Sequence, residues 1–393
     1  MDEAFHIREA GTKPHLAGGR LTIDLRSLQA NYRALAKVAA PAGVAGVVKA
    51  DAYGIGIADV VPALAAAGCD TFFVALPEEG FAVRRAAPQS RIFVLNGLFG
   101  LDAAETYARS QLIPVINTAI DLTIWERFCG RQGAAHPCAI HVDTGMNRLG
   151  ITPAEAIAFA DENMLTRAVN PVLLMSHLAC ADQRDDPKNR KQLEIFRNVG
   201  RAFGEMEASL VNSSGLLLGR DFHFGLTRPG IAVYGGSPAP GVTMRTVVTA
   251  EARVAQIRYV KAGETISYGA TSVLQRDSII AVAAVGYADG FPRAASGSGV
   301  PIRQLFPGGN GFVNGRRVPI IGRVTMDLTM FDVTDLGADG IATGDHIELF
   351  GPNLPIDEAA RAAGTISYEL LTRLGQRYHR AYISAEPPES KSS

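Results

Sequence analysis

The 393 residues exceed what one ordinary hydrophobic core takes in, so the length implies two domains or one large barrel with an appendage. Apolar residues make up 47% and charged residues 20%, with 38 basic against 39 acidic side chains, so the chain can bury a large core while carrying almost no net field. That excludes the basic surplus a nucleic-acid binder needs. Cys69, Cys129, Cys138 and Cys180 are scattered without CxxC spacing, which fits neither a disulfide framework nor a zinc site and points to a reducing cytoplasm.

Residues 1–20 mix charge with Gly and Pro and lack the apolar segment of a signal peptide, so they read as a flexible start. No uncharged apolar run reaches the ~18–20 residues of a bilayer span, and no membrane partner is expected. A strand at 21–25 and a helix at 27–39 lead into a series of apolar, β-rich runs at 44–49, 71–76, 91–95, 113–116, 138–142, 171–177, 209–212 and 228–234. Between them, 57–67, 78–87, 118–130, 153–161 and 188–206 carry helical spacing. Eight alternating units imply closure into a (β/α)8 barrel, with a doubly wound sheet as the alternative that pattern alone leaves open.

After Gly235 the texture changes. Ser237-Pro238-Ala239-Pro240-Gly241 reads as a linker, and the runs at 254–260, 278–285, 318–321, 328–333 and 346–350 are strands separated by Gly/Asp/Asn/Pro turns, with one late helix near 366–374. The expected organisation is therefore α/β plus all-β: a flexible N-terminus at 1–20, a (β/α)8 barrel at 21–240, a C-terminal β-strand domain at 241–385 and a frayed tail at 386–393.

Lys49 terminates the apolar strand 44–48, and a lysine there faces the end of a barrel where catalytic groups gather, so burial would lower its pKa towards nucleophilic use. A lysine snorkelling to solvent from a strand end is the equal alternative on position alone. Read alone, Tyr268 is a strand-end aromatic, Arg228 an ordinary turn arginine, Arg148 half of a surface ion pair, and Asn212-Ser213-Ser214-Gly215 a connecting loop. His6, His15, His136, His223, His346 and His379 form no ligand-spaced cluster, so no metal is expected.

Taken together, several stretches resemble the bacterial alanine racemases. Val47-Val48-Lys49-Ala50-Asp51-Ala52-Tyr53-Gly54 is similar to that family's pyridoxal 5'-phosphate attachment motif. In the family's order there follow Val142-Asp143-Thr144-Gly145-Met146-Asn147-Arg148-Leu149-Gly150, Ser176-His177-Leu178-Ala179, Arg228-Pro229-Gly230-Ile231-Ala232-Val233-Tyr234-Gly235 and Ile266-Ser267-Tyr268-Gly269. Gly286-Tyr287-Ala288-Asp289-Gly290, Gly322-Arg323-Val324-Thr325-Met326-Asp327 and Gly364-Thr365-Ile366-Ser367-Tyr368-Glu369 extend the similarity from about 21 to 382.

The resemblance implies a two-base racemisation of L-alanine and D-alanine, with Lys49 and Tyr268 on opposite sides of a planar intermediate, supplying D-alanine for peptidoglycan. It assigns the cofactor to Lys49, Tyr53, Arg148, His177, Ser213, Arg228, Gly230, Ile231 and Tyr368. Arg228 is implied to face the pyridine nitrogen, and because a guanidinium keeps its proton, the ring stays a weaker electron sink. His177 is implied to help Tyr268 ionise, through Arg228 or a neighbour. Arg148 and Met326 are implied to meet the substrate, and Tyr287 and Asp327 the pocket mouth. Tyr268, Tyr287, Met326 and Asp327 would come from a second subunit, giving a homodimer with shared active sites.

One position departs from the family. Many members carry a carbamylated lysine seven residues before the arginine at 148, whereas this chain has His141, leaving an imidazole, an anion or Asp143 to position Arg148. The alternatives in function are a broader amino-acid racemase, a decarboxylase of the same architecture and a non-catalytic carrier. The absence of any cysteine after Cys180 speaks against the decarboxylase, and the β domain carrying Tyr268 against the carrier.

Overall fold

A computed structural model describes residues 5–161 and 169–385, which divide into two compact units. The expected ragged tail at 386–393 and the first four residues lie outside the described residues.

Residues 29–233, with 237–242, form the barrel unit. Its strands are Gly43–Val44 continuing as Gly46–Val47, then Thr71–Val74, Arg91–Val94, Ile113–Ile116, His136–His141, Val169–Met175, Ala208–Ser209 and Leu226–Thr227. Neighbouring strands from Gly46–Val47 round to Ala208–Ser209 pair in parallel, and Leu226–Thr227 pairs in parallel with Gly43–Val44. The ring closes through Gly225 N donating to Ala208 O at 3.1 Å and Arg228 N to Val211 O at 2.9 Å. Runs such as Thr-Phe-Phe-Val at 71–74 and Ile-Pro-Val-Ile at 113–116 are buried at every position, as strands of a parallel sheet covered on both faces must be. Phe73 stacks on Phe93 with ring centroids 4.8 Å apart, filling part of that core.

Helices follow most strands: Ile57–Ala66, Pro77–Ala86, Leu101–Arg109, Ala119–Gln132, Pro153–Asp161 and Pro187–Ala202. Thr118 caps one by accepting from Asp121 N, and Asp186 another by accepting from Lys188 N, each satisfying a donor the first helical turn leaves free. The helix Leu101–Arg109 was not among those read from the sequence. After Ala208–Ser209 only short 3-10 turns occur, Gly215–Leu218 and Arg220–Phe222. The eighth strand is Leu226–Thr227 and not 228–234. The latter segment is a turn, because its Pro229 and Gly230 follow a strand only two residues long.

The second unit is a strand-rich domain comprising the described residues up to 28, 234–236 and the described residues from 243 onward. Its main sheet runs in the order Phe5–Gly11, His379–Ala385, Gly19–Asp24, Val248–Val260, His346–Phe350, Asn310–Val313, Arg316–Pro319. The far part of the long strand Val248–Val260 departs at a bulge near Val254 to pair with Ser278–Ala283, which pairs with Thr329–Asp332. Two expectations are corrected here. Phe5–Gly11 is no flexible start but pairs antiparallel with His379–Ala385, with Arg8 over the Tyr382 ring at 4.6 Å. Gly19–Asp24 is a strand as read, but it lies between His379–Ala385 and Val248–Val260 and belongs to this sheet. Alternation at 19–24 signals a half-buried strand without saying which sheet it joins. The late helix is two, Ile356–Ala362 and Ser367–Thr372.

Candidate active site

Parallel strands in a barrel end on one face, so side chains just past their C-terminal ends share a mouth. Lys49 follows the first strand, Asn117 the fourth, and His141 closes the fifth. His177 stands two residues past the sixth, Ser213 follows the seventh, and Arg228 comes directly after the eighth.

Beyond Lys49 the chain makes a left-handed turn. Ala50, Asp51, Ala52 and Tyr53 have φ of 54°, 51°, 52° and 56°. Each such residue costs about 1–2 kcal/mol, so the surroundings must enforce it. They do so through Ala52 N to Val48 O at 2.9 Å, Gly54 N to Ala50 O at 2.7 Å and the carboxylate of Glu79. One Glu79 oxygen accepts from Ala50 N at 2.7 Å, and the other accepts from Ala75 N at 2.8 Å and Leu76 N at 3.1 Å. A single carboxylate thus ties together the segments following the first two strands. Lys49 itself has exposed surface at the mouth, yet the protein around its amine lowers its pKa, by desolvation first and then by Arg148, with Glu79 opposing.

The left-handed turn delivers the buried Tyr53 hydroxyl against Gly230, where any Cβ would collide with it, so the turn after Arg228 needs glycine at that point. Ser213 is fully buried, and its Oγ accepts from Gly230 N at 2.8 Å and Ala232 N at 3.3 Å. With both acceptor positions used, the serine hydrogen remains to donate. Val233 N donates to Gly230 O, so in this turn the buried Ile231 amide is left without a protein acceptor among the described residues. Spare donors around a position that admits no side chain suit a phosphate.

Arg228 is 5% exposed and has no acid partner among the described residues. Its guanidinium donates to Ser209 Oγ, to Ser176 O at 2.6 Å and to Leu210 O at 3.4 Å, and lies 3.5 Å from His177 Nδ1. Burial lowers its pKa to about 10. His177 is pushed down to about 3, by burial first and then by Arg228, Arg148, His141 and Lys49. His141 falls to about 4, by burial, Arg228 and Arg148, with Asp143 opposing. Lys49, Arg148 and Arg228 therefore share the mouth with two neutral imidazoles, an environment that attracts anions and lowers the pKa of the lysine amine.

Arg148 is exposed on the turn 143–150. Asp143 Oδ1 shapes that turn by accepting from Gly145 N and Met146 N at 2.8 Å and Asn147 N at 3.1 Å. Burial alone would raise the Asp143 pKa, but these three donors outweigh it and the net shift is downward. Gln192 donates to Thr144 Oγ1 at 3.1 Å and to His177 O at 3.0 Å, steadying the two segments it bridges.

The other residues singled out from the sequence lie in the strand-rich unit. Tyr268 is 72% exposed in a turn whose Ser267 has φ 68° and donates through Oγ to Arg323 O at 2.9 Å. Met326 and Tyr287 are also exposed, and their segments are locked together by Tyr287 N to Thr325 O at 3.0 Å and Ala288 N to Met326 O at 2.9 Å. Asp327 pairs with Arg377 at 2.8 Å. Tyr368 is half-buried on the helix Ser367–Thr372. The sequence reading missed Glu79, Ser209 and Asn117. Only Asn117 carried a local signal, a polar residue ending a buried apolar strand in the manner of Lys49.

The described geometry is that of a barrel with an anion-attracting mouth and a separate strand-rich unit, and comparison with known proteins identifies it. The alanine racemase N-terminal domain family matches residues 23–238 and the alanine racemase C-terminal domain family residues 247–382. The alanine racemase of Rhizobium meliloti is 51% identical over 93% of this chain and 97% of its own length. The biosynthetic alanine racemase of Agrobacterium fabrum is 51% identical over 93% and 94%, and the catabolic one of the same organism 41% over 93% and 92%. Among solved structures, the Bartonella henselae alanine racemase with covalently bound pyridoxal phosphate has a TM-score of 0.86 at 37% identity, covering 93% of this chain and 99% of that one. The chain belongs to the alanine racemase family. It is an enzyme, an isomerase.

Proposed function

We propose that Lys49 and Tyr268 are the two bases with which this chain interconverts L-alanine and D-alanine on pyridoxal 5'-phosphate. When bound, that cofactor supplies the electron sink that makes an amino acid's Cα proton removable at neutral pH. Lys49 fits as its attachment point, because the lowered pKa makes the neutral amine easier to reach, the form that makes the bond and takes a proton on its own side. The Ser213 hydroxyl and the Ile231 amide offer donors to the phosphate, at the turn where Gly230 spends its own amide on Ser213, with the Tyr53 hydroxyl beside them and Tyr368 as a further hydroxyl. Arg228 faces the pyridine nitrogen and keeps its own proton. His177 lies beside Arg228 as the group that would help Tyr268 ionise. Arg148 takes the alanine carboxylate. The observation that carries this reading is the gathering of Lys49, Arg148 and Arg228 about two neutral imidazoles at the strand ends.

Tyr268 acts from the opposite face and comes from a second copy of the chain, so the working form is a homodimer with shared sites: each barrel unit is completed by the strand-rich unit of its partner. Support comes from the exposure of Tyr268, Met326 and Tyr287, large side chains that cost free energy in water unless something covers them. Met326 then borders the substrate, and Tyr287 and Asp327 the pocket mouth. The greater identity to the biosynthetic than to the catabolic Agrobacterium fabrum protein favours supply of D-alanine to peptidoglycan. Four unpaired cysteines favour a cytoplasmic enzyme.

The test is complementation. Lys49→Ala and Tyr268→Phe each abolish racemisation alone. Unfolded and refolded together in equal amounts, they form mixed dimers in which one of two sites is intact, returning about a quarter of wild-type activity. Two inactive proteins that stay inactive when mixed, with mixed dimers verified by mass, would defeat the shared site.

A further inference from the structure

Asn117 spends both hydrogens of its side-chain amide on carbonyls, Leu95 O at 2.9 Å and Val115 O at 3.2 Å. This fixes which end of the amide faces outward, since the reverse arrangement would set an oxygen against two oxygens. Its Oδ1 therefore faces His141 Nδ1, at 2.7 Å, and only an N–H can satisfy it. Both side chains are buried, at 4% and 7% exposure, so an unmatched pair would be costly. The proton of His141 sits on Nδ1, and the lone pair of a neutral ring sits on Nε2.

The segment carrying Arg148 is rooted on this same residue. Ile151 N donates to His141 O and Asp143 N to Ile151 O, both at 2.9 Å, closing the turn onto the strand end. The one carboxylate at that root, Asp143, already accepts from three amides of the turn. Arg148 makes no hydrogen bond or ion pair among the described residues. The charged and titratable groups about His141 are Arg228, Arg148, Asp143 and His177.

We propose that His141 is the positioning residue for Arg148: held by Asn117 in its Nδ1–H form, it offers Nε2 as an uncharged acceptor to the guanidinium and so turns the remaining N–H groups towards a substrate carboxylate. This rests on the reading that Arg148 binds that carboxylate. A neutral acceptor leaves the full positive charge of Arg148 to the substrate, where a carboxylate in the same place would have neutralised part of it. It also requires no covalent modification of the chain.

The experiment uses the cofactor-loaded enzyme labelled with 15N-histidine. Of eight histidines, the one lost from the spectrum of His141→Gln should show a protonated Nδ1 and an unprotonated Nε2 at neutral pH. In kinetics, His141→Gln, which keeps one donor and one acceptor, should hold the KM for L-alanine within about threefold, whereas His141→Phe should raise it about tenfold or more, with a smaller change in kcat and an unaltered visible cofactor band. A proton found on Nε2, or a His141→Phe enzyme with wild-type KM and an intact band, overturns the proposal. The nuclear resonance result is read without substrate, so it stands or falls separately from the racemase reading.

Discussion

Arg228 Nη2 lies 3.5 Å from His177 Nδ1, and a guanidinium, which can only donate, makes that nitrogen the acceptor. The imidazole is therefore neutral, with its hydrogen on Nε2, and burial and the nearby cations hold its pKa at about 3. His141 is held at about 4. Both folded values lie below the ordinary value of 6.5, so in acid the unfolded chain takes up protons that the folded chain refuses. Their contribution to stability is complete above about pH 6.5 and is lost as the pH falls through that range towards 4 and then 3. Each should steepen the loss by about 1.4 kcal/mol per pH unit. His177→Gln is expected to flatten the curve between pH 6 and 4 by about that amount, read from urea unfolding of the barrel unit at a series of pH values. An unchanged slope would mean that His177 is not held neutral by its surroundings.

Lys49 is governed by the same mouth. Desolvation lowers its pKa most, Arg148 lowers it further, and Glu79 works in the other direction. Removing a like charge raises an amine's pKa, and removing an acid lowers it. In the cofactor-free chain, Arg148→Gln should therefore move the pH at which Lys49 becomes reactive upward, and Glu79→Gln downward. The rate of Lys49 acylation followed by peptide mass against pH checks both. Movement in the same direction in the two variants would show that through-space charge does not control this amine. Glu79→Gln carries a second consequence, since the neutral amide weakens the tie among Ala50 N, Ala75 N and Leu76 N that holds the left-handed turn.

That turn marks a limit of what the chain shows before it folds. The runs at 71–76, 91–95 and 113–116 were legible because burial on both faces forces continuous apolar strands, and Lys49 was legible as a charge closing such a run. Four successive non-glycine residues at positive φ go against every local preference, and part of what holds them, the carboxylate of Glu79, lies 29 positions away from Ala50. The pairing of Phe5–Gly11 with His379–Ala385 was hidden for the same reason, since its partner lies at the opposite end of the chain. The eighth strand was displaced in the reading because two residues, Leu226–Thr227, are too few to set a period. Arg228 looked like a turn arginine because its acceptors, Ser176 O, Ser209 Oγ and Leu210 O, come from two other strand ends.

In the strand-rich unit the exposed Tyr287 and Met326 depend on a residue that no motif singled out. Arg377 donates through Nε to Asp289 Oδ1 at 2.6 Å and through Nη2 to Asp289 Oδ2 at 2.8 Å, while Nη1 reaches Asp327 at 2.8 Å. Asp289 is buried and also accepts from Gly286 N at 2.9 Å, so it shapes the turn carrying Tyr287. Asp327, next to Met326, is exposed. The two halves of this clamp should therefore differ in strength. Arg377→Met leaves a buried carboxylate without its cation and is expected to cost about 1–3 kcal/mol, whereas Asp327→Asn removes an exposed pair and should cost under about 1 kcal/mol. Because Arg377→Met also loosens the turns bearing Tyr287 and Met326, its KM for alanine should rise more than its kcat falls. Thermal unfolding with steady-state kinetics on the two variants tests this, and equal losses from both would show that burial of Asp289 is not what gives the clamp its strength.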